Sequence, residues 1–235
     1  MEAIVLAGGN ADDPLAQKFG VASKTLVPYR GRPLVEYTLE ALVQAGLEVI
    51  LVGPSVPLNP PPQRALPDQG GLLANLEAGI NAAQGSKVLV ATGDMPFLQE
   101  EAVRWVLENA PQAGFVYTIV ARPTIEQRFP GMRRTYARVR EGYFTGGNLV
   151  IIDRKLFFTA LPLLKQALEL RKKPLALARM IGLGTLVKVL LGQADIVGLE
   201  ARVSRIIGVP AKALITPYAE IGIDIDKEED LRWLT

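Results

Sequence analysis

The first half of the chain alternates between short apolar runs and segments whose apolar residues recur at helical spacing. The predicted strands are Ala3–Ala7, Glu48–Gly53, Lys87–Thr92 and Gly114–Ala121, and the predicted helices are Pro33–Gly46, Leu72–Ala83 and Gln99–Ala110. Strands that alternate with helices at this spacing predict a parallel sheet with crossover helices. The strands are continuously apolar, which indicates a sheet covered on both faces. The sequence therefore predicts a Rossmann-like, three-layer α/β/α fold with a mostly parallel sheet.

The remaining segments follow a less regular pattern. We expect a proline-containing loop at Gly53–Gly71, an arginine-rich segment at Arg122–Arg140, a turn and then a strand at Tyr143–Ile152, a mostly helical insertion at about 154–208, short extended segments at Ala213–Asp226, and an acidic helix from about Lys227. The change near residue 122 indicates a change of role within one domain over residues 1–235.

Composition excludes several kinds of chemistry. The chain has no cysteine and no histidine, so thiolate nucleophiles, disulfides and a histidine base are excluded. The remaining carboxylates, lysines and hydroxyls suit hard ions such as Mg²⁺ or Mn²⁺. The formal net charge of +2 in 235 residues gives no reason to expect nucleic acid as a partner.

The location of the protein can be predicted from its N-terminus and its apolar stretches. The N-terminus, MEAIVLAGG, carries no secretion signal and runs directly into the first strand. The most apolar later stretch, Ala176–Gly192, contains Arg179 and Lys188 and is too short for a membrane span. We therefore expect a cytoplasmic protein with no stable membrane insertion.

Gly8 and Gly9 follow the first strand at the edge where open α/β sheets bind ligands. Glycine lets the backbone approach a ligand and present N–H groups to a phosphate, although a tight turn without a ligand is the alternative. The loop GGNADD does not have the dinucleotide-binding spacing. The later GVASKT, residues 20–25, has serine where the P-loop requires glycine and follows no predicted strand.

Three motifs together resemble the nucleotidyltransferase superfamily, and within it the molybdenum-cofactor guanylyltransferase-like proteins. They are LAGG at Leu6–Gly9 with Lys24, Val27–Pro28 and Gly31–Tyr37, then GDMPFL at Gly93–Leu98, then DIDKEEDL at Asp224–Leu231. The resemblance implies a GT-A-like nucleotidyltransferase fold. It also implies Mg²⁺-dependent transfer of a nucleoside monophosphate from a nucleoside triphosphate, with GTP favoured, to a phosphorylated small-molecule acceptor. Cytidylyl or uridylyl transfer to a sugar or alcohol phosphate, or a non-catalytic nucleotide-binding protein, are the alternatives.

The resemblance also implies roles for individual residues. It makes Lys24 and Asp94 catalytic, and Asp94 and Asp226 ligands of Mg²⁺; it assigns acceptor binding to Gly147 and Asn148, and nucleotide binding to Leu6, Ala7, Gly8, Gly9, Lys24, Asn75 and Asp94. From the residues alone, Asp224 is an alternative to Asp226 because both point to the same side of a strand. Asp226 could also cap the last helix, with Glu229 completing a capping box.

Three features extend or depart from this pattern. The family loop carries an arginine after the glycines, whereas this chain has NADDP at Asn10–Pro14, and Lys18 is the candidate replacement. Six arginines in the second half are candidates for holding an anionic acceptor: Arg122, Arg128, Arg133, Arg134, Arg138 and Arg140. The apolar stretch Lys173–Gly192 is typical of a core or dimer helix, hence a homodimer. It could instead line a pocket for a hydrophobic acceptor or contact a membrane surface.

Overall fold

The computed structural model describes residues 1–9, 12–170 and 182–234. In chain order the strands are β1 Glu2–Leu6, β2 Pro28–Tyr29, β3 Arg32–Pro33, β4 Glu48–Gly53, β5 Arg64–Pro67, β6 Lys87–Thr92, β7 Phe115–Ala121, β8 Ala137–Val139, β9 Gly142–Asp153 and β10 Ala211–Thr216. The α-helices are α1 Pro14–Phe19, α2 Leu34–Gln44, α3 Leu72–Ala82, α4 Glu100–Asn109, α5 Arg122–Arg128, α6 Arg154–Leu170, α7 Leu183–Leu190 and α8 Ile196–Ile207. Short 3₁₀ helices cover Lys24–Leu26, Ala219–Gly222 and Glu228–Leu234.

Eight of these strands form one sheet in the order β10-β7-β9-β6-β1-β4-β5, with β8 paired to β9. The pairs β1–β4, β1–β6, β4–β5 and β7–β10 are parallel. Strand β9 runs antiparallel to its neighbours β6, β7 and β8. The mostly parallel α/β sheet predicted from the sequence is confirmed.

Helices cover both faces of the sheet because its central strands are apolar on both sides. In β1, Val5 belongs to the core cluster that includes Leu39 of α2 and Val103 of α4. The next residue back, Ile4, belongs to the cluster that includes Ile80 of α3 and Phe157 of α6. Since successive strand residues point to opposite faces, one strand supplies both cores. The three-layer arrangement follows directly.

The proline-containing segment is not entirely a loop. Strand β5 lies within Gly53–Gly71 and pairs in parallel with β4, so that Pro67 is opposite Gly53. β5 is the last strand of the sheet, and an edge strand is where proline is tolerated because its missing N–H breaks no inner ladder. The sequence predicted a loop here because prolines ordinarily indicate loops.

The turn predicted at the start of Tyr143–Ile152 is wrong, because these residues all lie in β9 and the turn precedes them at Arg140 and Glu141. Gly142–Asp153 is a single 12-residue strand, and its register with β7 shifts between Tyr117 and Ile119. Gly146 and Gly147 lie at this irregularity. A Cβ on either residue would overlap the side chain of Tyr117 or Thr118, respectively. The two glycines therefore allow close strand packing at a bulge and do not form a turn.

The described part of the predicted helical insertion is helical, as α6, α7 and α8. The prediction for the apolar stretch Lys173–Gly192 rests partly on residues 173–181, which lie outside the described residues. Where the stretch is described, Leu190 and Leu191 at the end of α7 are exposed. Among the described residues, no helix has both the length and the apolar character needed to cross a membrane.

Candidate active site

A cavity of about 640 Å³ opens at the carboxyl end of the central strands, between their following loops and the start of α3. Six residues predicted for the nucleotide or metal line it: Leu6, Gly8, Gly9, Lys24, Asn75 and Asp94. Thr92 and Asp224 are also part of the lining. Parallel strands bring these residues together because all their carboxyl ends meet at one edge.

The loop that contains Gly8 and Gly9, which we call the glycine loop, packs closely against neighbouring side chains. A Cβ on Gly8 would overlap Asn75 Nδ2, and a Cβ on Gly9 would lie 2.6 Å from Ser23 Oγ. Ala7 is fully buried behind the loop, and its carbonyl oxygen accepts hydrogen bonds from Ser23 Oγ and Thr25 Oγ1 at 3.0 Å each. Ala7 therefore supports the loop and is not in the cavity lining.

Asp68 is a cavity residue that the sequence analysis missed. Its carboxylate accepts hydrogen bonds from Gly9 N at 3.0 Å, Gly70 N at 2.8 Å and Asn75 Nδ2 at 3.0 Å. Burial acts to raise the pKa of Asp68, but these donors outweigh it and lower the pKa below its ordinary value. An acidic residue at the carboxyl end of a strand would have indicated this site residue. The sequence instead predicts a loop where β5 lies, so this indication is lost.

Lys24 joins two acidic residues that are more than 100 residues apart in sequence. Its Nζ lies 2.7 Å from Asp94 Oδ2 and also pairs with Asp226 Oδ1. Burial acts to lower the pKa of Lys24, and the two carboxylates more than reverse this effect and raise it. Burial likewise acts to raise the pKa of Asp226, but its hydrogen bond to Lys24 lowers it below the ordinary value. Lys24 is therefore held as a fixed positive charge.

Asp224 is paired differently. Its carboxylate contacts the Arg134 guanidinium, which also donates to the Asp224 carbonyl oxygen at 3.3 Å. Burial, followed by the negative charge of Asp94, raises the pKa of Asp224 despite this partner. Of the six arginines predicted to hold an acceptor, Arg134 is thus the one that contacts an aspartate of this site. Its partner is a carboxylate of the chain itself. None of the six lines the cavity within the described residues.

Asp94, Asp224 and Asp226 could together hold a metal ion. One oxygen from each can be chosen so that all three lie within 4.8 Å of one another. Asp94 is 4% exposed, and its Oδ1 has no hydrogen-bond partner among the described residues. A buried, unpaired carboxylate oxygen is costly unless a ligand completes it. Three carboxylates are the donor set that hard divalent cations prefer, so these residues fit such an ion.

The capping alternative for Asp226 is not observed. The backbone N–H groups of Asp226 and Lys227 donate to Asp230 Oδ2 at 3.1 and 2.9 Å, so Asp230 closes this turn. Glu229 does not take that role. The side chain of Asp226 is directed to Lys24, and the backbone N–H of Ile225 donates to the Asp94 carbonyl oxygen at 3.1 Å. This bond holds the motif at Asp224–Leu231 beside the motif at Gly93–Leu98.

The predicted acceptor residues lie beside the cavity and do not line it. Gly147 packs against Thr118 and Ile221. The register of β6 with β9 places Asn148 at the level of Thr92, one position beyond the last pair. Asn148 Nδ2 and Thr92 Oγ1 are both buried without a hydrogen-bond partner among the described residues.

The replacement for the family arginine is not found in the cavity. Lys18 pairs with Glu228 on the surface and is not part of the lining. Within NADDP, Asn10 lies outside the described residues, and Asp13 caps α1 by accepting from the backbone N–H groups of Leu15 and Ala16. Asp13 therefore begins a helix and does not contribute to a phosphate site.

Comparison with known proteins gives one curated relative and several solved structures. The chain is 30% identical over 122 residues to the probable molybdenum cofactor guanylyltransferase of Methanosarcina acetivorans, a match of 46% of this chain and 52% of that protein. The chain thus spans about half the length of this relative. A structure described as a hypothetical transferase from Thermus thermophilus is 56% identical, covers 98% of this chain and 100% of its own, and superposes with a TM-score of 0.94.

More distant structures show the fold alone. The 2-C-methyl-D-erythritol 4-phosphate cytidylyltransferase of Thermus thermophilus is 20% identical, with a TM-score of 0.56 over 100% of this chain and 97% of its own. A nucleotidyl transferase from Methanothermobacter thermautotrophicus is 21% identical, with a TM-score of 0.58 over 99% and 94%. The sequence model of one family, the MobA-like NTP transferase domain, matches residues 3–179. The chain therefore belongs to the MobA-like NTP transferase family of nucleotidyltransferases.

Proposed function

We propose that the chain transfers a nucleoside monophosphate from a nucleoside triphosphate to a phosphorylated small-molecule acceptor and releases pyrophosphate. The observation that carries this proposal is the joining of Lys24, Asp94 and Asp226 at the cavity that Gly8 and Gly9 border. A fixed cation beside an unpaired carboxylate suits a polyphosphate with its metal ion. A single domain over residues 1–235, with residues 1–121 for the nucleotide and 122–235 for the acceptor, is part of the same proposal.

The residues of this chain would divide the work as follows. The backbone of Gly8 and Gly9 would lie close to the triphosphate, because both glycines line the cavity. Lys24 would neutralise phosphate charge, and Asp94 with Asp226 would hold Mg²⁺. When bound, Mg²⁺ would supply further neutralisation of the phosphate charge. A preorganised charge of this kind contributes on the order of 10²–10³ in rate.

No side chain of the chain needs to act as a base. An acceptor phosphate has a second pKa of about 6, so its oxygen is already anionic near neutral pH. That oxygen forms a bond to the α-phosphorus while the bond to the bridging α–β oxygen breaks, and pyrophosphate leaves with the electron pair. Alignment and charge neutralisation then account for catalysis, in agreement with a chain that lacks histidine.

GTP is the nucleotide that we favour. The support is the guanylyltransferase description of the curated relative, which matches half of that protein's length. Asp68 adds a chemical argument, because a carboxylate in the cavity accepts hydrogen bonds and guanine presents N–H donors on its pairing edge. CTP or UTP is the alternative.

The first test is a thermal-shift measurement with ATP, GTP, CTP and UTP, each with and without Mg²⁺. A rise in Tm that needs Mg²⁺ and is largest for GTP is expected, because a ligand that binds only the folded state stabilises it. Asp68→Asn should reduce the GTP shift, whereas the exposed control Glu108→Gln should leave it unchanged. The absence of a shift with every nucleotide would overturn the proposal.

Turnover separates an enzyme from a nucleotide-binding protein on the same fold. Pyrophosphate release is measured with the preferred nucleotide and a panel of phosphorylated acceptors. Release that depends on both substrates supports transfer, and nucleotide binding without release for any acceptor favours the non-catalytic alternative. A cytoplasmic location and a homodimer are further proposals, the latter supported by the exposed Leu190 and Leu191. Cell fractionation and sedimentation velocity test them.

A further inference from the structure

Two apolar cavities lie on the α3, α6 and α8 face of the sheet, outside the candidate active site. The first, of about 300 Å³, lies between α8 and strands β7, β9 and β10, and we call it the α8 cavity. Its walls include Phe115, Tyr117, Phe144 and Val203. The second, of about 480 Å³, lies between α3, α6 and α8, and we call it the α6 cavity. Both volumes fall in or near the range of small-ligand pockets.

The two cavities meet each other. Phe115 and Val203 line both of them. The charged residues at the α8 cavity are already paired, since Lys212 Nζ lies 2.7 Å from Glu200 Oε2 and Ala213 N donates to Glu200 Oε1 at 2.9 Å. The surface left for a ligand is therefore apolar along the whole length of the pair.

Two residues of these cavities, Leu72 and Tyr117, relate them to the candidate active site. Leu72 lines both the active-site cavity and the α6 cavity, and it is 63% exposed. Tyr117 lines the α8 cavity, with its hydroxyl packed at Gly146 in the irregular part of β9. The Asp224 carboxylate is close enough to contribute, after burial, to the raised pKa of Tyr117. Tyr117 therefore lies within electrostatic range of Asp224.

The nucleotide and the acceptor of the proposed reaction would occupy different sides of the active-site cavity. The glycine loop, Lys24 and Asn75 lie on the β1 side of the active-site cavity, where the nucleotide is proposed to bind. An acceptor must bring its phosphate to the acidic residues, and the remainder of the molecule then lies toward β9 and β7. The surface on that side includes the aromatic and aliphatic side chains of β7 and β9 that line the α8 cavity.

We infer that the acceptor is a phosphate monoester of an aliphatic group, and that this group occupies the α8 cavity and then the α6 cavity. The inference rests on the proposed nucleotidyl transfer. The product is a nucleoside diphosphate ester of the same aliphatic group, formed with release of pyrophosphate. Each methylene that enters an apolar cavity strengthens binding by about fourfold.

The test uses straight-chain alkyl monophosphates from butyl to decyl, kept below their aggregation concentration. Calorimetry measures their Kd in the presence of Mg²⁺ and a non-hydrolysable nucleotide analogue. The Kd is expected to fall by about fourfold per methylene until the cavities are filled. Val203→Asn, between the two cavities, should weaken binding of the decyl ester by tenfold or more and binding of the butyl ester by a smaller factor.

Val197→Asn is the matched control. Val197 lies on the same helix, is 67% exposed and lines neither cavity, so its substitution should change no Kd. A Kd that does not depend on chain length overturns the inference, as does an equal effect of the two variants. An altered dimer in sedimentation for Val203→Asn, with unchanged alkyl phosphate binding, would make this face an interface between copies and also overturn it.

Product formation with the same series keeps this inference separate from the proposed function. A value of kcat/KM that rises with chain length supports both. Transfer to polar sugar phosphates but to no alkyl phosphate overturns the aliphatic acceptor and leaves nucleotidyl transfer intact. Bound nucleotide without transfer to any acceptor overturns nucleotidyl transfer itself, and the aliphatic acceptor with it.

Discussion

Two buried carboxylates at opposite ends of the central strands differ in how completely they are paired. Glu2, at the amino end of β1, accepts from Gln84 N at 2.6 Å and Gly85 N at 2.7 Å and pairs with Arg64. Asp94, just past the carboxyl end of β6, has Lys24 on Oδ2 and no partner on Oδ1 among the described residues. The two are 6% and 4% exposed, so burial does not distinguish them.

This difference separates a structural acid from a candidate functional one. A buried carboxylate whose oxygens all accept hydrogen bonds stabilises the fold. A buried carboxylate oxygen without a hydrogen-bond partner destabilises the fold, and a ligand that binds it can remove this destabilisation. Thr92 Oγ1 and Asn148 Nδ2, at the same edge as Asp94, are likewise buried and unpaired. Unsatisfied polar atoms therefore concentrate at the carboxyl edge, where the family motifs also meet.

The largest expected effect comes from Asp94→Asn. Replacing the carboxylate should lower kcat on the order of 10²–10³ because a charge aimed at the phosphates is lost. The free energy of unfolding should change by about 1 kcal/mol or less, since Lys24 keeps Asp226 as its partner. Steady-state kinetics and urea unfolding measure the two quantities. A large loss of stability with normal kcat would make Asp94 a structural residue like Glu2.

Gly147→Ala tests whether the acceptor side of this edge is as closely packed as the glycine loop. A Cβ at Gly147 would overlap the Thr118 side chain and lie 2.9 Å from Ile221 Cγ2. Overpacking of this kind should lower the free energy of unfolding by about 1–3 kcal/mol. The control Gly184→Ala lies in α7, and no described atom outside its chain neighbours and its own helix backbone lies within 4 Å of the new Cβ, so it should stabilise by about 0.4–1 kcal/mol. Equal effects from urea unfolding would contradict the packing argument.

The smallest expected effect is that of Glu2→Gln at the opposite end. Burial acts to raise the pKa of Glu2, but the N–H groups of Gly85 and Gln84 and the charge of Arg64 lower it below 4.5. A carboxylate whose pKa is lowered on folding stabilises the protein above its unfolded pKa, and this contribution is lost as pH falls through the folded pKa. The variant should lose about 1–2 kcal/mol at pH 7 with unchanged kcat.

Unfolding at a series of pH values checks the sign of this effect. The stability difference between wild type and Glu2→Gln should be constant above about pH 5 and should shrink as the pH is lowered below 4.5. A difference that grows toward low pH would mean that Glu2 is not stabilised in its charged form. A fall in kcat for this variant at pH 7 would remove the contrast with Asp94.

The sequence alone was sufficient for the central strands of the sheet and for three motifs. Apolar runs such as Glu48–Gly53 and Lys87–Thr92 are strands with the predicted bounds, because a strand buried on both faces must be apolar throughout. The glycine loop and Asp94 were recognisable because each follows a predicted strand, and Lys24 was recognisable because it belongs to the first motif of the family resemblance. Strand β5 and the bulge in β9 were not predictable, since proline and glycine ordinarily indicate loops and turns.

What only the tertiary structure decided is the pairing of groups far apart in the chain. The sequence determined that Asp94 would follow a buried strand, and the family resemblance grouped it with Lys24 and Asp226; from the residues alone, Asp224 and Asp226 stayed undistinguished. Folding directs Asp226 to Lys24 and Asp224 to Arg134, and it brings Asp68 to Gly9. The α8 cavity likewise arises where β7 and β9 meet α8 and β10, which come much later in the chain. Local periodicity reports which face of an element is buried, but only packing determines which side chains meet there.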